Sequence, residues 1–194
     1  MFTGIVTYRG RLQKVIGANY TFSAPEDFCR KLTEGISVAI NGACLTVAKK
    51  GKNSFSVEVM PETVKRTTLG KLQEGDMINL ELPATPKTFL SGHIVQGHID
   101  VVAKISNVKR QGNSYGITIN VPVNLTRYIV PKGSITVNGI SLTVITASKT
   151  SFTVSIIPYT WNHTTFSTLR VNDTVNIEVD VLAKYVERLL TKGE

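Results

Sequence analysis

Asn41-Gly42-Ala43-Cys44-Leu45-Thr46-Val47 decides the fold, because the stretch occurs twice. It returns 97 residues later as Asn138-Gly139-Ile140-Ser141-Leu142-Thr143-Val144. The correspondence runs on without a gap. Ser54-Phe55 meets Ser151-Phe152, Pro61 and Thr63 meet Pro158 and Thr160, and Asn79 and Glu81 meet Asn176 and Glu178. Over positions 41–81 this single offset gives 17 identities in 41. Such self-similarity outranks any local motif as a signal. An offset of half of the 194-residue chain means two copies of one domain, since a solenoid needs at least three units.

Each copy reads as β structure. Asn-Gly between two apolar runs is a tight-hairpin signal, because both central positions of that turn need positive φ. Ser37–Ile40 and Cys44–Val47 are therefore paired strands. Phe55–Val59 and Met77–Leu82 alternate with period two, which predicts one buried and one wet face. Tyr20–Phe22 and Ile117–Val121 add a strand to each half, and Ile5-Val6 and Ile99–Val102 open the halves. About six short antiparallel strands per copy cannot leave their edges bare, so each copy closes into a small barrel. Pro83 and Pro86 interrupt pairing. They set the seam between residues 1–88 and 89–181.

Helices are few. Asp27–Leu32 and Leu125–Val130 predict a turn or two, the second ended by Pro131. The tail, residues 182–194, differs. Leu182, Tyr185, Val186, Leu189 and Leu190 form an apolar helical stripe, with Lys184, Glu187, Arg188 and Lys192 opposite. A helix this short is marginal alone. It packs either on its own barrels or on another subunit.

Composition narrows the function. Apolar residues make up 42% of the chain, which excludes a disordered segment. The net charge of +8 is spread out, with no basic run longer than two. That pattern, without aromatics beside the basic residues, argues against a nucleic-acid surface. The start shows no signal-peptide pattern, and no apolar stretch is long enough to span a membrane. Cys29 and Cys44 have no partner at metal-ligand spacing. A reducing, cytoplasmic setting is expected.

No phosphate loop, dinucleotide fingerprint or nucleophile elbow is present. His98 is a candidate general base or a local hydrogen-bonding residue. Cys44 is a buried apolar cysteine or a nucleophile, the latter needing a base beside it. Cys44 and Thr46, like Ser141 and Thr143, are two apart in a strand and point the same way. Each barrel so offers one short polar pair, suited to a polyol or heterocycle.

Taken with Met1-Phe2-Thr3-Gly4-Ile5-Val6, Gly92-His93-Ile94-Val95-Gln96-Gly97-His98-Ile99, Met60–Thr63, Lys132-Gly133 and Val175–Asp180, these motifs resemble the alpha-chain type of riboflavin synthase along the whole chain. The resemblance implies two six-stranded Greek-key barrels plus a C-terminal helix, assembled as a homotrimer through those helices. It implies that one 6,7-dimethyl-8-ribityllumazine passes a four-carbon unit to a second. The products are riboflavin and 5-amino-6-(D-ribitylamino)uracil. No metal or redox cofactor is implied. The site would lie between the first barrel of one subunit and the second barrel of another. The resemblance also raises lumazine synthase as a partner. A non-catalytic lumazine- or flavin-binding accessory protein is the alternative on the same fold.

By the same resemblance Cys44, His98, Ser141 and Thr143 take catalytic positions. Phe2, Gly4, Ile5, Val6, Ser37, Thr46, Glu62, Lys132 and Asp180 hold or border substrate. The chemistry needs a proton taken from the C7 methyl of one lumazine and a nucleophile added to C7 of the other. Imidazole or hydroxyl can move the proton. Fixing two rings together removes the entropy of a bimolecular step. Three positions depart from the family pattern. Asn138 replaces an aspartate, Tyr159 stands where the first copy has Glu62, and the connection from Leu82 to Ser91 is short.

Overall fold

Each Asn-Gly pair reverses the chain with both residues at positive φ: 45° and 82° at Asn41 and Gly42, 47° and 80° at Asn138 and Gly139. The structure, a computed structural model, describes residues 1–191. From these two turns the flanking strands follow in register, Ala39 opposite Cys44 and Thr136 opposite Ser141.

The first half contains β1 (Tyr8–Ile16), β2 (Asn19–Ser23), β3 (Ser37–Ile40), β4 (Ala43–Lys50), β5 (Ser54–Glu58) and β6 (Met77–Glu81). The second contains β7 (Val101–Gln111), β8 (Ser114–Asn120), β9 (Ser134–Val137), β10 (Ile140–Ala147), β11 (Ser151–Ile156) and β12 (Thr174–Val179). Both sheets close, the first in the order β1-β2-β5-β4-β3-β6 and the second in the matching order. Three hairpin-linked strands flanked by long returns make this a Greek key. Closure removes the exposed edges. Even the bulges repeat, at Leu12/Lys14 and Val47/Lys49 in one barrel and Ile105/Asn107 and Val144/Thr146 in the other.

Each barrel has its own core. Phe22, Phe55, Ile40, Val57 and Ile78 fill the first, with Phe28 and Leu32 contributed by α1 (Glu26–Lys31) and the residue after it. Ile105, Ile119, Ile135, Phe152 and Val154 fill the second. There Leu125 and Ile129 take the place of α1 from a 3-10 turn at Val123–Tyr128 and the residue that follows it. Two further helices, α2 (Pro61–Arg66) and α3 (Pro158–His163), were not expected from periodicity. Proline at their first turn, where its missing N–H is harmless, starts both.

Two expectations fail where the barrels meet. Met77–Glu81 is not wet on one face, because Asn79 and Glu81 are both buried. The other barrel covers that face. Asn79 donates through its side chain to the Asn138 carbonyl, and Asn176 to the Asn41 carbonyl, at 2.9 and 2.8 Å. The two turns so lock onto each other's strands. Ile5-Val6 and Ile99 also do not belong to barrel strands. Residues 2–6 and 95–99 form two extended straps that run between the barrels and pair with each other at Phe2 and Val95.

The tail helix α4 (Val181–Leu190) is capped by the Asp180 carboxylate, which accepts from the Leu182 amide at 3.0 Å. Its polar face, not its apolar stripe, lies on the barrel. Lys184 meets Asp100 at 2.6 Å, and Glu187 accepts from Arg127 and from the Tyr128 hydroxyl. Leu182, Tyr185, Val186, Leu189 and Leu190 point outward, 55–76% exposed. Lys192, expected on the polar face, lies with residues 193–194 outside the described residues.

Candidate functional site

The outer faces of β4 and β10 carry the equivalent short polar pairs. Alternation along β4 buries Ala43 and Leu45 in the barrel and turns Cys44 and Thr46 out of it. Thr46 lies opposite Ser37 in register, as Thr143 lies opposite Ser134. Beside Cys44 and Thr46 a groove of about 360 Å³ runs on to Glu58, Met60 and Thr63. The second strap closes over this end. The Cys44 amide donates to the Gly97 carbonyl at 2.9 Å. Phe2 and Val95 pack with Ala39, and Cys44 lies against them. His98, next along the strap, is exposed.

The second barrel repeats this arrangement with the N-terminal strap. The Ser141 amide donates to the Gly4 carbonyl at 2.8 Å, and Val6 packs on the core of the second barrel. Ile99 packs reciprocally on the core of the first. Each barrel is therefore roofed by a strap that leads into the other. Backbone contact is close enough to require glycine. A Cβ on Gly4 would stand 2.6 Å from the Ser141 Cβ, and one on Gly97 2.6 Å from the Cys44 Cβ, both at positive φ.

What the second half-site has and the first lacks is a buried histidine. His93 Nδ1 lies 2.7 Å from Ser141 Oγ, and its Nε2 lies 3.2 Å from Thr136 Oγ1. The ring is 8% exposed. Burial holds its pKa below the usual histidine value, and Asp180 pulls weakly the other way. A neutral imidazole bonded to a serine hydroxyl is an acid–base pair ready to relay a proton.

Two buried carboxylates anchor the straps. Glu81 on β6 accepts from the Thr3 amide at 2.7 Å, the Gly4 amide at 3.1 Å and the Thr3 hydroxyl at 2.7 Å. Glu178 on β12 accepts from the Gln96 and Gly97 amides at 2.7 and 2.9 Å. Burial raises both carboxyls. Glu178 is pushed up to about 7 against the pull of the two amides, Asp100 adding to the rise and Lys184 opposing it. At Glu81 the Thr3 and Gly4 donors hold the rise back.

The residues singled out in the sequence thus fall into two groups. Phe2, Ser37, Cys44, Thr46 and His98 stand at the first barrel, with Glu62 at its margin on α2, exposed and paired with Arg66. That ion pair holds the Glu62 carboxyl below its usual range. Gly4, Ile5, Val6, Ser141, Thr143 and Asp180 stand at the second. Lys132 adjoins them in a left-handed turn, its amide donating to the Val144 carbonyl. Asn138 belongs to the turn network between the barrels: its side-chain oxygen accepts from the Asn176 amide at 2.8 Å. Tyr159 is exposed and stacks on His163. Sequence reading passed over His93, Glu81 and Glu178. The straps correspond at an offset of 93, Gly4 with Gly97, so the 97-residue register does not align them. Among the described residues no cluster of His, Cys, Asp or Glu could hold a metal ion, and no helix is long and apolar enough to cross a membrane.

The lumazine binding domain model matches the chain twice, over residues 3–83 and 96–180. The riboflavin synthase of Bacillus subtilis (strain 168) is 39% identical over 197 residues, covering 100% of this chain and 91% of that protein. That of Mycobacterium tuberculosis (strain H37Rv) is 43% identical over 198 residues, covering 98% of each. Among solved structures, LumP complexed with riboflavin superposes with a TM-score of 0.85 at 23% identity, covering 92% of this chain and 99% of that one. At that identity the likeness speaks for the fold.

Proposed function

We infer function from one premise, that the chain belongs to the lumazine binding domain family in both halves, over residues 3–83 and 96–180. It is an enzyme with the riboflavin synthase activity of its full-length relatives. Two molecules of 6,7-dimethyl-8-ribityllumazine are converted to riboflavin and 5-amino-6-(D-ribitylamino)uracil by transfer of a four-carbon unit. The observation that carries this reading is the pair of equivalent half-sites, Cys44/Thr46 under one strap and Ser141/Thr143 under the other. A reaction between two identical rings calls for two similar surfaces. Only one of them has an acid–base pair.

The roles divide accordingly. With His93 Nε2 protonated and donating to Thr136, its Nδ1 accepts the Ser141 proton. The Ser141 oxygen then adds to C7 of one lumazine or relays the proton leaving the C7 methyl. Lys132 supplies positive charge for the anion that forms. Cys44, Thr46 and Ser37 hold the partner ring and its ribityl chain, with Phe2 and His98 at its border. Incubation with pure dimethylribityllumazine tests the reading. One riboflavin and one diaminouracil per two substrates consumed is expected. Tight binding without turnover would instead identify an accessory protein, a reading that the synthases' 39–43% identity, against 23% for LumP, disfavours.

Assembly is part of the proposal. The outward stripe of α4 is too apolar to remain in water, and three copies packing it together as a homotrimer would bury it. The trimer would set the first barrel of one subunit against the second barrel of the next, which brings unlike half-sites together. A chain ending after Asp180 should sediment mainly as a monomer; persistence of the trimer would overturn the assignment. Association with lumazine synthase and a cytoplasmic setting remain part of this reading on the strength of the family alone.

A further inference from the structure

Neither strap reaches its half-site by packing alone. The second strap is pinned at one place from each side: its Gln96 and Gly97 amides to Glu178 of its own barrel, its Gly97 carbonyl to the Cys44 amide of the other. The N-terminal strap repeats this, with Glu81 gripping Thr3 and Gly4 while the Gly4 carbonyl takes the Ser141 amide. We infer that Glu178 is the positioning residue for the Cys44 half-site and Glu81 for the Ser141 half-site, each acting across the barrel boundary through a strap. Neither carboxylate is placed to touch substrate, since both are buried and their oxygens are taken by strap donors.

The geometry makes the control crosswise. Glu178 belongs to the barrel of Ser141 but sets the distance of Gly97 and His98 from Cys44. Glu81 belongs to the barrel of Cys44 but sets Gly4 and Ile5 against Ser141. A carboxylate is suited to this task because its two oxygens can accept from two successive amides at once, which a neutral side chain does less well. The charged groups bearing on Glu178 are Asp100, whose other contacts are the Val179 amide and Lys184, and Lys184 itself on α4. They form a separate pair and leave the strap amides to Glu178.

The chain carries its own reporter of this control. It has two cysteines, Cys29 buried at 1% exposure in the first core and Cys44 partly exposed under the strap. In the whole protein, Glu178→Ala should raise the rate at which a thiol reagent modifies one cysteine, Cys44, by at least about tenfold. Cys29 should stay protected. Glu81→Ala should raise Cys44 labelling by no more than about threefold, the small rise coming from Phe2 of the N-terminal strap, which also lies against Cys44, and Cys44→Ser should abolish the fast phase. Glu178→Gln, which keeps one acceptor oxygen, should fall between. Unchanged Cys44 labelling in Glu178→Ala, or an equal rise in Glu81→Ala, would overturn the inference. Should Glu178→Ala expose both cysteines, the decision passes to Glu178→Gln, where less than a threefold rise overturns it.

The inference rests on the proposed reaction for its kinetic consequence only. Both alanine variants should lower kcat for riboflavin formation, by about ten- to a hundredfold if the reacting groups shift by an ångström or so. Absence of riboflavin formation in the parent protein would sink the functional reading and leave the labelling result standing. Loss of kcat in both variants with only Glu178→Ala unmasking Cys44 is the signature of crosswise positioning. Loss of kcat without that selective unmasking is plain destabilisation.

Discussion

Replacing His93 by alanine should lower the single-turnover rate by about 10²–10³-fold, within the range for a positioned acid–base group, while riboflavin still binds. The expectation rests on the only histidine with a side-chain hydroxyl at each nitrogen among the described residues, Ser141 half-buried and Thr136 buried. His98→Ala should do less, about tenfold, because that ring is exposed and the proposed reading places it only at the substrate's border. Cys44→Ser should retain measurable turnover, since Ser141 fills the equivalent position in the other copy. The pH profile adds a sign. Burial lowers the pKa of His93 below the usual histidine value, so the imidazole stays neutral and able to accept a proton further into the acid range than a free histidine does. Activity that depends on it should have its acid limb below the usual histidine range, and this limb should vanish in His93→Ala. Rates measured beside fluorescence quenching by bound riboflavin separate chemistry from binding. A variant at the parent rate would reduce His93 to a structural residue.

The second large effect is on stability. Gly42→Ala should lower the melting temperature by about 10 °C, given roughly 2–4 °C per kcal/mol for a chain this long. Two terms add. A side chain at φ +82° brings about 1–2 kcal/mol of left-handed strain. The new Cβ would also stand 2.6 Å from the Gly139 amide nitrogen and 2.9 Å from its Cα, a clash with backbone that brings about 1–3 kcal/mol more. Gly17→Ala separates the terms. Its φ is +58°, but nothing lies within 4 Å of the added atom, so only the strain, about 1–2 kcal/mol, remains. Equal losses in the two variants, measured by thermal unfolding, would mean that the turns do not bear on each other.

The barrels were legible because each is specified locally. Asn-Gly at the hairpins, period-two alternation in β5 and the unbroken 97-residue register all act within one copy. The half-sites were legible in part for the same reason: Cys44, Thr46, Ser141 and Thr143 share a strand face by simple alternation. What was not legible depends on the copies meeting. Asn79 and Glu81 alternate with apolar neighbours like any half-wet strand, and nothing in that pattern says a second barrel covers them. His93 sits in a segment without periodicity, and its partner Ser141 is 48 residues away in another register. The tail pattern correctly gave two faces but not which one turned inward. Lys184 and Glu187 found charged and phenolic partners on the barrel, and the apolar stripe was left outside.

The crossing of the straps bears on where such a chain comes from. Mutual completion of two units by reciprocal segments is what an isologous dimer of one short chain achieves, with a single interface used twice. A lone barrel with its strap would be half of such a dimer, unfinished until a copy arrived and therefore dependent on concentration. Joining the copies through residues 82–91 ends that dependence, since the second unit is always present at the effective concentration of a tether. It also lifts a constraint that symmetry imposes. In a dimer of identical chains every useful side chain must appear at both sites. In the fused chain one site can keep Cys44 and His98 while the other takes Ser141 and Ile5, and a single His93 can serve one of them alone.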